Sequence, residues 1–236
     1  MSENPTTSIV IPFYKMWNLT HARLMELYKF NPPDCEVILV DDCSNDPECD
    51  GGILWWQKVP NFTLRYHKNE ENLGFGQSCN NGVKLAKGKY VILLSNDVQL
   101  FGNVINDITV LIGNDDKMLV AGRVVDWAGG WNELDSHGKH YVIPYAEGWL
   151  LGCTKKAWKV LGGFDPLYGK FDLEDVDLSL TALSLGYNIV NLHNKNVKHI
   201  SGATIYRLYP DRMERTKKNK VLFDDKWRER VYQIIP

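Results

Sequence analysis

The residues best placed to do chemistry are Ser95, Asn96 and Asp97, which follow directly on the apolar run Tyr90–Leu94. Short polar groups just past the carboxyl end of a buried parallel strand sit where open α/β sheets hold their ligands. A carboxylate there suits a hard divalent cation that shares its coordination with ligand phosphates. Asp41 and Asp42 stand in the same relation to the apolar run at residues 36–40, EVILV. At least one of them projects into the crevice, where carboxylates accept hydrogen bonds from a base or ribose. Taken alone, Asp41-Asp42-Cys43-Ser44 reads equally as a helix-capping turn. Glu174, Asp175 and Asp177 open a helical segment. The helix dipole favours carboxylates there, and one held near a reacting centre takes a proton from an attacking hydroxyl. His199 trails a further strand, with Ser201, Gly202 and Thr204 behind it. Neutral imidazole is a competent metal ligand. Trp149 and Phe171 offer apolar walls for a sugar face, although aromatics more often fill cores.

Residues 72–76, NLGFG, invite a dinucleotide-binding label. The third glycine of that fingerprint falls at Cys79, and the stretch does not follow the first strand of a βαβ unit. It reads instead as a flexible loop around Asn72, Gly74 and Gly76 whose backbone approaches a nucleotide, although the glycines alone fit a plain turn better.

Composition narrows the classes. The 236 residues are 44% hydrophobic and 24% charged, enough for one sizeable core. A net charge of −2 gives no electrostatic reason to expect nucleic acid. Five cysteines, odd in number and without zinc spacing, read as free thiols in a reducing compartment. No secretory leader is visible and no apolar run reaches the roughly 20 residues that span a bilayer. The expectation is a cytoplasmic protein without a transmembrane segment, with peripheral contact at a membrane surface left open.

The positioning elements alternate. Strands are expected at residues 8–13, 36–40, 62–67, 90–94 and 118–125, and helices at 17–30, 53–58, 78–86, 104–112, 155–161 and 174–185. That alternation argues for a mostly parallel sheet with helices on both faces. Residues 126–145 read as irregular, and 148–153 as a lead into the helix that follows. The charged and aromatic tail at 211–232 reads as a surface helix open to folding back over the domain, with Arg212, Arg215, Lys217, Lys218, Lys220, Trp227 and Arg228 best accounted for as a solvated face.

The ordered set SIVIPFY, EVILVDDCSND, NLGFGQSCNNGVKLAKGKYVILLSNDV, GGFDPLYGKFDLEDVDLSLTALSLGY and VKHISGAT closely resembles the family 2, GT-A type glycosyltransferases over residues 8–206. Within them it looks most like the rhamnosyltransferase-like branch. The resemblance implies one GT-A domain: a Rossmann-like nucleotide-sugar half at 8–100, an acceptor and catalytic half at 101–206, and a helical tail at 207–236. It implies that Pro12, Phe13, Tyr14, Asp41, Asp42, Asn72, Gly74, Phe75, Asn80, Ser95 and Asn96 border the donor. Asp97 and His199 would hold Mn2+ or Mg2+, Asp175 beside Glu174 would be the base, and Trp149 and Phe171 would meet the acceptor. Ser95 stands where the family's metal motif begins with Asp. The implied reaction is inverting transfer from a UDP-, dTDP- or GDP-sugar to a hydroxyl of a glycan or glycoconjugate. A nucleotidyltransferase and a non-catalytic nucleotide-sugar-binding module are the alternatives.

Overall fold

The computed structural model describes residues 5–30, 32, 34–127, 143–170, 172–200, 211–231 and 234. Its centre is a run of β-branched and aliphatic strands: β1 (Thr7–Phe13), β2 (Cys35–Asp41), β3 (Thr63–Lys68) and β4 (Tyr90–Leu94). β1 pairs parallel with β2 on one side and β4 on the other, and β2 pairs parallel with β3. Parallel strands are covered on both faces, which is why SIVIPF carries no polar alternation and every residue of β1 is buried.

Successive side chains leave a strand on opposite faces. Ile9, Ile11, Leu39, Ile92 and Leu94 therefore meet one layer, with Leu24 and Leu27 of α1 (Trp17–Phe30), Ile53 and Trp56 of α2 (Pro47–Trp56) and Ile108 of α4 (Val104–Ile112). Val10, Ile38, Val40, Val91 and Leu93 meet the other, with Cys79 and Val83 of α3 (Phe75–Leu85), Ala157 and Leu161 of α5 (Lys155–Leu161) and Leu178 of α6 (Glu174–Ser184). α3 lies so close to the sheet that a Cβ at Gly82 would fall 2.3 Å from Val10 Cγ1.

The second half departs from the expected strands in three places. Residues 118–125 divide into β6 (Met118–Ala121), in the main sheet, and β7 (Val124–Trp127), outside it. β7 pairs antiparallel with β8 (Ile143–Ala146), so the ends of the stretch read as irregular are strands. Residues 148–153 are not merely a lead into α5: β9 (Leu150–Thr154) is a fully buried strand, antiparallel to both β4 and β6. With β10 (Asn188–Asn191) on the edge, the seven strands run β10-β6-β9-β4-β1-β2-β3. A short antiparallel pair, β5 (Val98–Leu100) with β11 (Val197–His199), stands apart.

The tail forms α7 (Arg212–Trp227) and is not simply a solvated helix. Phe223, Trp227 and Val231 are buried against Tyr168, Val176 and Leu180. Arg215, Lys217 and Lys218 are exposed, as expected. All five cysteines are free thiols. No helix among the described residues is long and apolar enough to cross a membrane.

Candidate active site

The carboxyl ends of β1, β2 and β4, the β8–β9 turn, the start of α6 and the start of α7 surround a cavity of about 480 Å³. At its sheet end lies Asp97. Strand β4 stops at Leu94, the Ser95 amide donates to the Trp149 carbonyl at 2.8 Å, and Ser95 Oγ donates to Asp97 Oδ1 at 2.6 Å. Asn96 Nδ2 donates back to Thr20 Oγ1 at 3.1 Å, which ties the turn to α1. α1 also supports β5 from behind: the buried Arg23 pairs with Glu26 and donates to the Val98 carbonyl, and Glu26 Oε2 accepts the Leu100 amide.

β11 pairs His199 with Val98, which brings the imidazole beside Asp97 across about a hundred residues of chain. His199 Nε2 lies 3.4 Å from Asp97 Oδ1, and both side chains line the cavity. One carboxylate and one imidazole suit Mn2+ or Mg2+ as a partial shell, the remainder falling to donor oxygens and water. No cluster of three or more His, Cys, Asp or Glu side chains arranged to hold a metal occurs among the described residues. The donor set thus fits a cation held jointly with a diphosphate, not an all-protein cage.

Glu174 and Asp175 also line the cavity. Asp175 Oδ2 accepts the Gly148 amide at 3.1 Å and Oδ1 accepts the Val176 amide at 2.9 Å. Glu174 Oε2 is buried and accepts nothing among the described residues. Burial raises the pKa of Glu174 above the usual carboxylate range, and the charge of Asp175 raises it further. Burial also raises Asp175, opposed by its two amide donors. Two adjacent carboxyls do not both ionise readily. The amide donors favour charge on Asp175, so a shared proton falls more readily on Glu174, which leaves Asp175 the better proton acceptor of the two.

The third corner is built on Asp42. Its oxygens accept the Leu73 amide at 2.7 Å, the Gly74 amide at 2.8 Å and Asn69 Nδ2 at 2.9 Å. Pro12, Phe13, Tyr14, Gly74 and Phe75 line the cavity beside it. Gly74 has φ of 87°, and a Cβ there would fall 2.4 Å from Lys170 Cα, so only glycine serves. Helix α3 begins at Phe75, which corrects the expected loop: Gly76 lies in its first turn.

Three expected donor residues do not line the cavity. Asp41 is turned away, its oxygens accepting the Ser44 amide at 2.8 Å and the Tyr66 hydroxyl at 3.0 Å. Asn80 spends its amide on the backbone of Phe164, donating to the carbonyl at 2.7 Å and accepting the amide N–H at 3.0 Å. Asn72 is not among the lining residues. Phe171 falls outside the described residues. Trp149 does line the cavity, but one of its faces is covered by the His199 ring and its Nε1 donates to Glu147.

Sequence reasoning missed Ser78, Tyr145, Glu147, Lys170, Asp172 and two residues of α7, Arg212 and Thr216, all of which reach the cavity. Asp172 alone carried a signal, two residues before Glu174.

A family model described as Glycosyl transferase family 2 matches residues 8–164. Poly-beta-1,6-N-acetyl-D-glucosamine synthase from Staphylococcus epidermidis is 21% identical over 97% of this chain and 55% of its own length. Glycosyltransferase GlyG from Streptococcus pneumoniae is 26% identical over 57% of this chain and 43% of its own. An uncharacterised Sinorhizobium fredii protein is 27% identical over 60% of this chain and 17% of its own. The chain therefore spans little more than half, or less, of these relatives. Among solved structures, GalNAc-T7 with UDP, GalNAc and Mn2+ superposes with a TM-score of 0.65 at 17% identity, over 80% of this chain and 42% of that one. The mannosyltransferase PcManGT from Pyrobaculum calidifontis, with GDP-Man and Mn2+, gives 0.62 at 20% identity over 80% and 55%. These likenesses establish the GT-A fold.

Proposed function

We propose, for a chain that belongs to glycosyl transferase family 2, that it moves a hexosyl or rhamnosyl group from a nucleotide-diphosphate sugar to a hydroxyl of a glycan or glycoconjugate, with inversion. One observation carries the reading: Asp97 and Asp175, 78 residues apart in sequence, line the same cavity. A cavity of about 480 Å³ is of the size that small-molecule ligands occupy.

In this reading Asp175 Oδ accepts the proton of the acceptor hydroxyl as that oxygen bonds to the anomeric carbon. The bond from that carbon to the diphosphate oxygen breaks with its electron pair, and the nucleoside diphosphate leaves. Attack from the face opposite the leaving group inverts the centre. Glu174 keeps its proton beside Asp175 and does not compete as a second base. Asp42 orders the backbone at Leu73 and Gly74 against the nucleoside, and Pro12, Phe13 and Tyr14 enclose it. Asp97 and His199 would hold Mn2+ or Mg2+, which when bound supplies neutralising charge to the leaving diphosphate.

The test is a thermal-shift panel of UDP-, dTDP- and GDP-sugars with and without Mn2+, followed by product analysis. A true donor stabilises the fold by mass action, more so with the cation present. Released nucleoside diphosphate supports the reading. Released pyrophosphate would make the chain a nucleotidyltransferase, and binding without turnover of any donor and acceptor would make it a binding module.

A further inference from the structure

Asp172 and Leu173 lead the backbone into Glu174 and Asp175, and both lie in the left-handed region, with φ of 53° and 81°. Aspartate tolerates that region; leucine seldom enters it. Such a dipeptide persists only where its surroundings over-determine it. The N-cap position of α6 supplies little restraint, since it is Leu173, whose side chain makes no capping hydrogen bond.

The restraint comes from α7. Arg212 donates through Nε and Nη2 to the two oxygens of Asp172 at 3.0 and 2.7 Å. Thr216 Oγ1 donates to Asp172 Oδ2. Asn219 Nδ2 donates to the backbone carbonyls of Tyr168 at 2.8 Å and of Asp172 at 3.1 Å. Spacings of four and three residues put these side chains on one helix face. The far end of that face is anchored by Phe223 and Trp227 in the core and by Lys226 between Asp165 and Asp177. α7 begins 48 residues beyond the stretch that matches the family.

We propose that α7 is a clamp on the catalytic helix, in which Arg212, Thr216 and Asn219 are positioning residues that hold Asp172 and thereby aim the Asp175 carboxylate. The inference rests on the reading of Asp175 as the base. It assigns α7 a task in the reaction and not only in burying apolar surface. The coupling route is short: the clamp bonds Asp172, and the carbonyl of the next residue, Leu173, accepts the Asp177 amide at 2.9 Å in the first turn of α6.

The test compares the full chain with Thr216→Val, Asn219→Ala and Thr216→Ser by hydrogen exchange and by UDP release from UDP-N-acetylglucosamine with Mn2+. The Val176 and Asp177 amides should exchange about tenfold faster in Thr216→Val and Asn219→Ala, while the amides of residues 223–227 stay within about twofold of the parent. Thr216→Ser, which keeps the hydroxyl, should restore the parent exchange pattern. UDP release should fall about tenfold or more in kcat with KM nearly unchanged, because misaim costs rate and not binding. Unchanged exchange at Val176 and Asp177 would overturn the clamp. So would a raised KM with kcat intact, which would make these residues ligand contacts. If Asn219→Ala fails to fold, Thr216→Val decides, since it removes one hydroxyl and no volume. A parent that releases no UDP from this donor counts against the donor reading only, and the exchange comparison still decides the clamp.

Discussion

The indole of Trp149 lies flat on the imidazole of His199, with ring centroids 4.9 Å apart and planes inclined by 16°. The indole is itself held by its hydrogen bond to Glu147 and by its fit over Gly122, where a Cβ would fall 2.4 Å from the ring. A fixed aromatic plane leaves the imidazole little freedom except to present its Nε2 edge toward Asp97. In the proposed function, Trp149 would act on the cation through His199. Groups that orient a metal ligand are worth about 10–100-fold in metal affinity. Trp149→Leu should raise the Mn2+ concentration for half-maximal thermal stabilisation by about tenfold. A midpoint equal to the parent's would detach the stack from metal binding.

Asp175 lines the cavity with two amide donors on its oxygens and Glu174, whose pKa burial raises, beside it. Asp175→Asn keeps the shape and removes the proton acceptor. Sugar transfer should fall by about 100–10,000-fold, the worth of a positioned general base. Donor-induced thermal stabilisation should persist, because the corner around Asp42, the proposed nucleoside contact, is untouched. Transfer at the parent rate would take the base role away from Asp175.

Glu174 titrates against the fold. Its pKa is raised in the folded state above the ordinary 4.5, chiefly by burial. Between 4.5 and the raised value the unfolded chain has released this proton and the native chain still holds it. The unfolded state then binds fewer protons, so stability falls as pH rises through that interval. Glu174→Gln removes the ionisation and should be more stable than the parent at neutral pH, by about 1 kcal/mol or about 2–4 °C in Tm. The gain should shrink toward nothing as pH falls below 4.5, where both states of the parent are protonated. A Tm difference independent of pH would refute the buried, protonated state of Glu174.

Much of this site was legible because strand ends are legible. Tyr90–Leu94 and the run at 36–40 read as buried strands within the strand–helix alternation of the first hundred residues, which puts Asp97 and the Asp41-Asp42 pair near the crevice. Which of two consecutive aspartates faces the crevice was not legible. Asp41 is still inside β2, paired with Phe13 and Lys68, and the alternation that turns Asp42 inward depends on one residue of register. β9 was hidden for a different reason. A five-residue apolar run beside a helix has no period to distinguish it, and its antiparallel pairing to β4 is non-local. Arg212 was hidden by distance, since its partner Asp172 lies 40 residues earlier and a charged amphipathic tail looks the same docked or solvated. The aromatics of that tail were the readable hint: Trp227 and Phe223 are buried because they anchor it.

That anchor closes on one buried carboxylate. Asp177 Oδ1 accepts the Trp227 indole N–H at 2.6 Å and the Tyr168 hydroxyl at 2.9 Å, and Oδ2 accepts Lys226 at 3.0 Å. Lys226 also reaches Asp165 at 2.7 Å, so one ammonium bridges α7 to two segments. Removing the charge from such a cluster leaves a partly buried ammonium with half its compensation and weakens two charge-assisted hydrogen bonds. Each of these is worth about 1.5–3 kcal/mol against about 1 for a neutral bond. Asp177→Asn should therefore cost about 2–3 kcal/mol, a fall of about 5–10 °C in Tm for a chain of this size. Because α7 carries Arg212 and Thr216 to the cavity wall, the same variant should also lose protection at the Arg212 end of α7 before the central sheet opens. Hydrogen exchange on the folded variant checks both parts. A Tm within a degree of the parent, with α7 amides equally protected, would mean that Phe223 and Trp227 hold the helix by apolar contact alone.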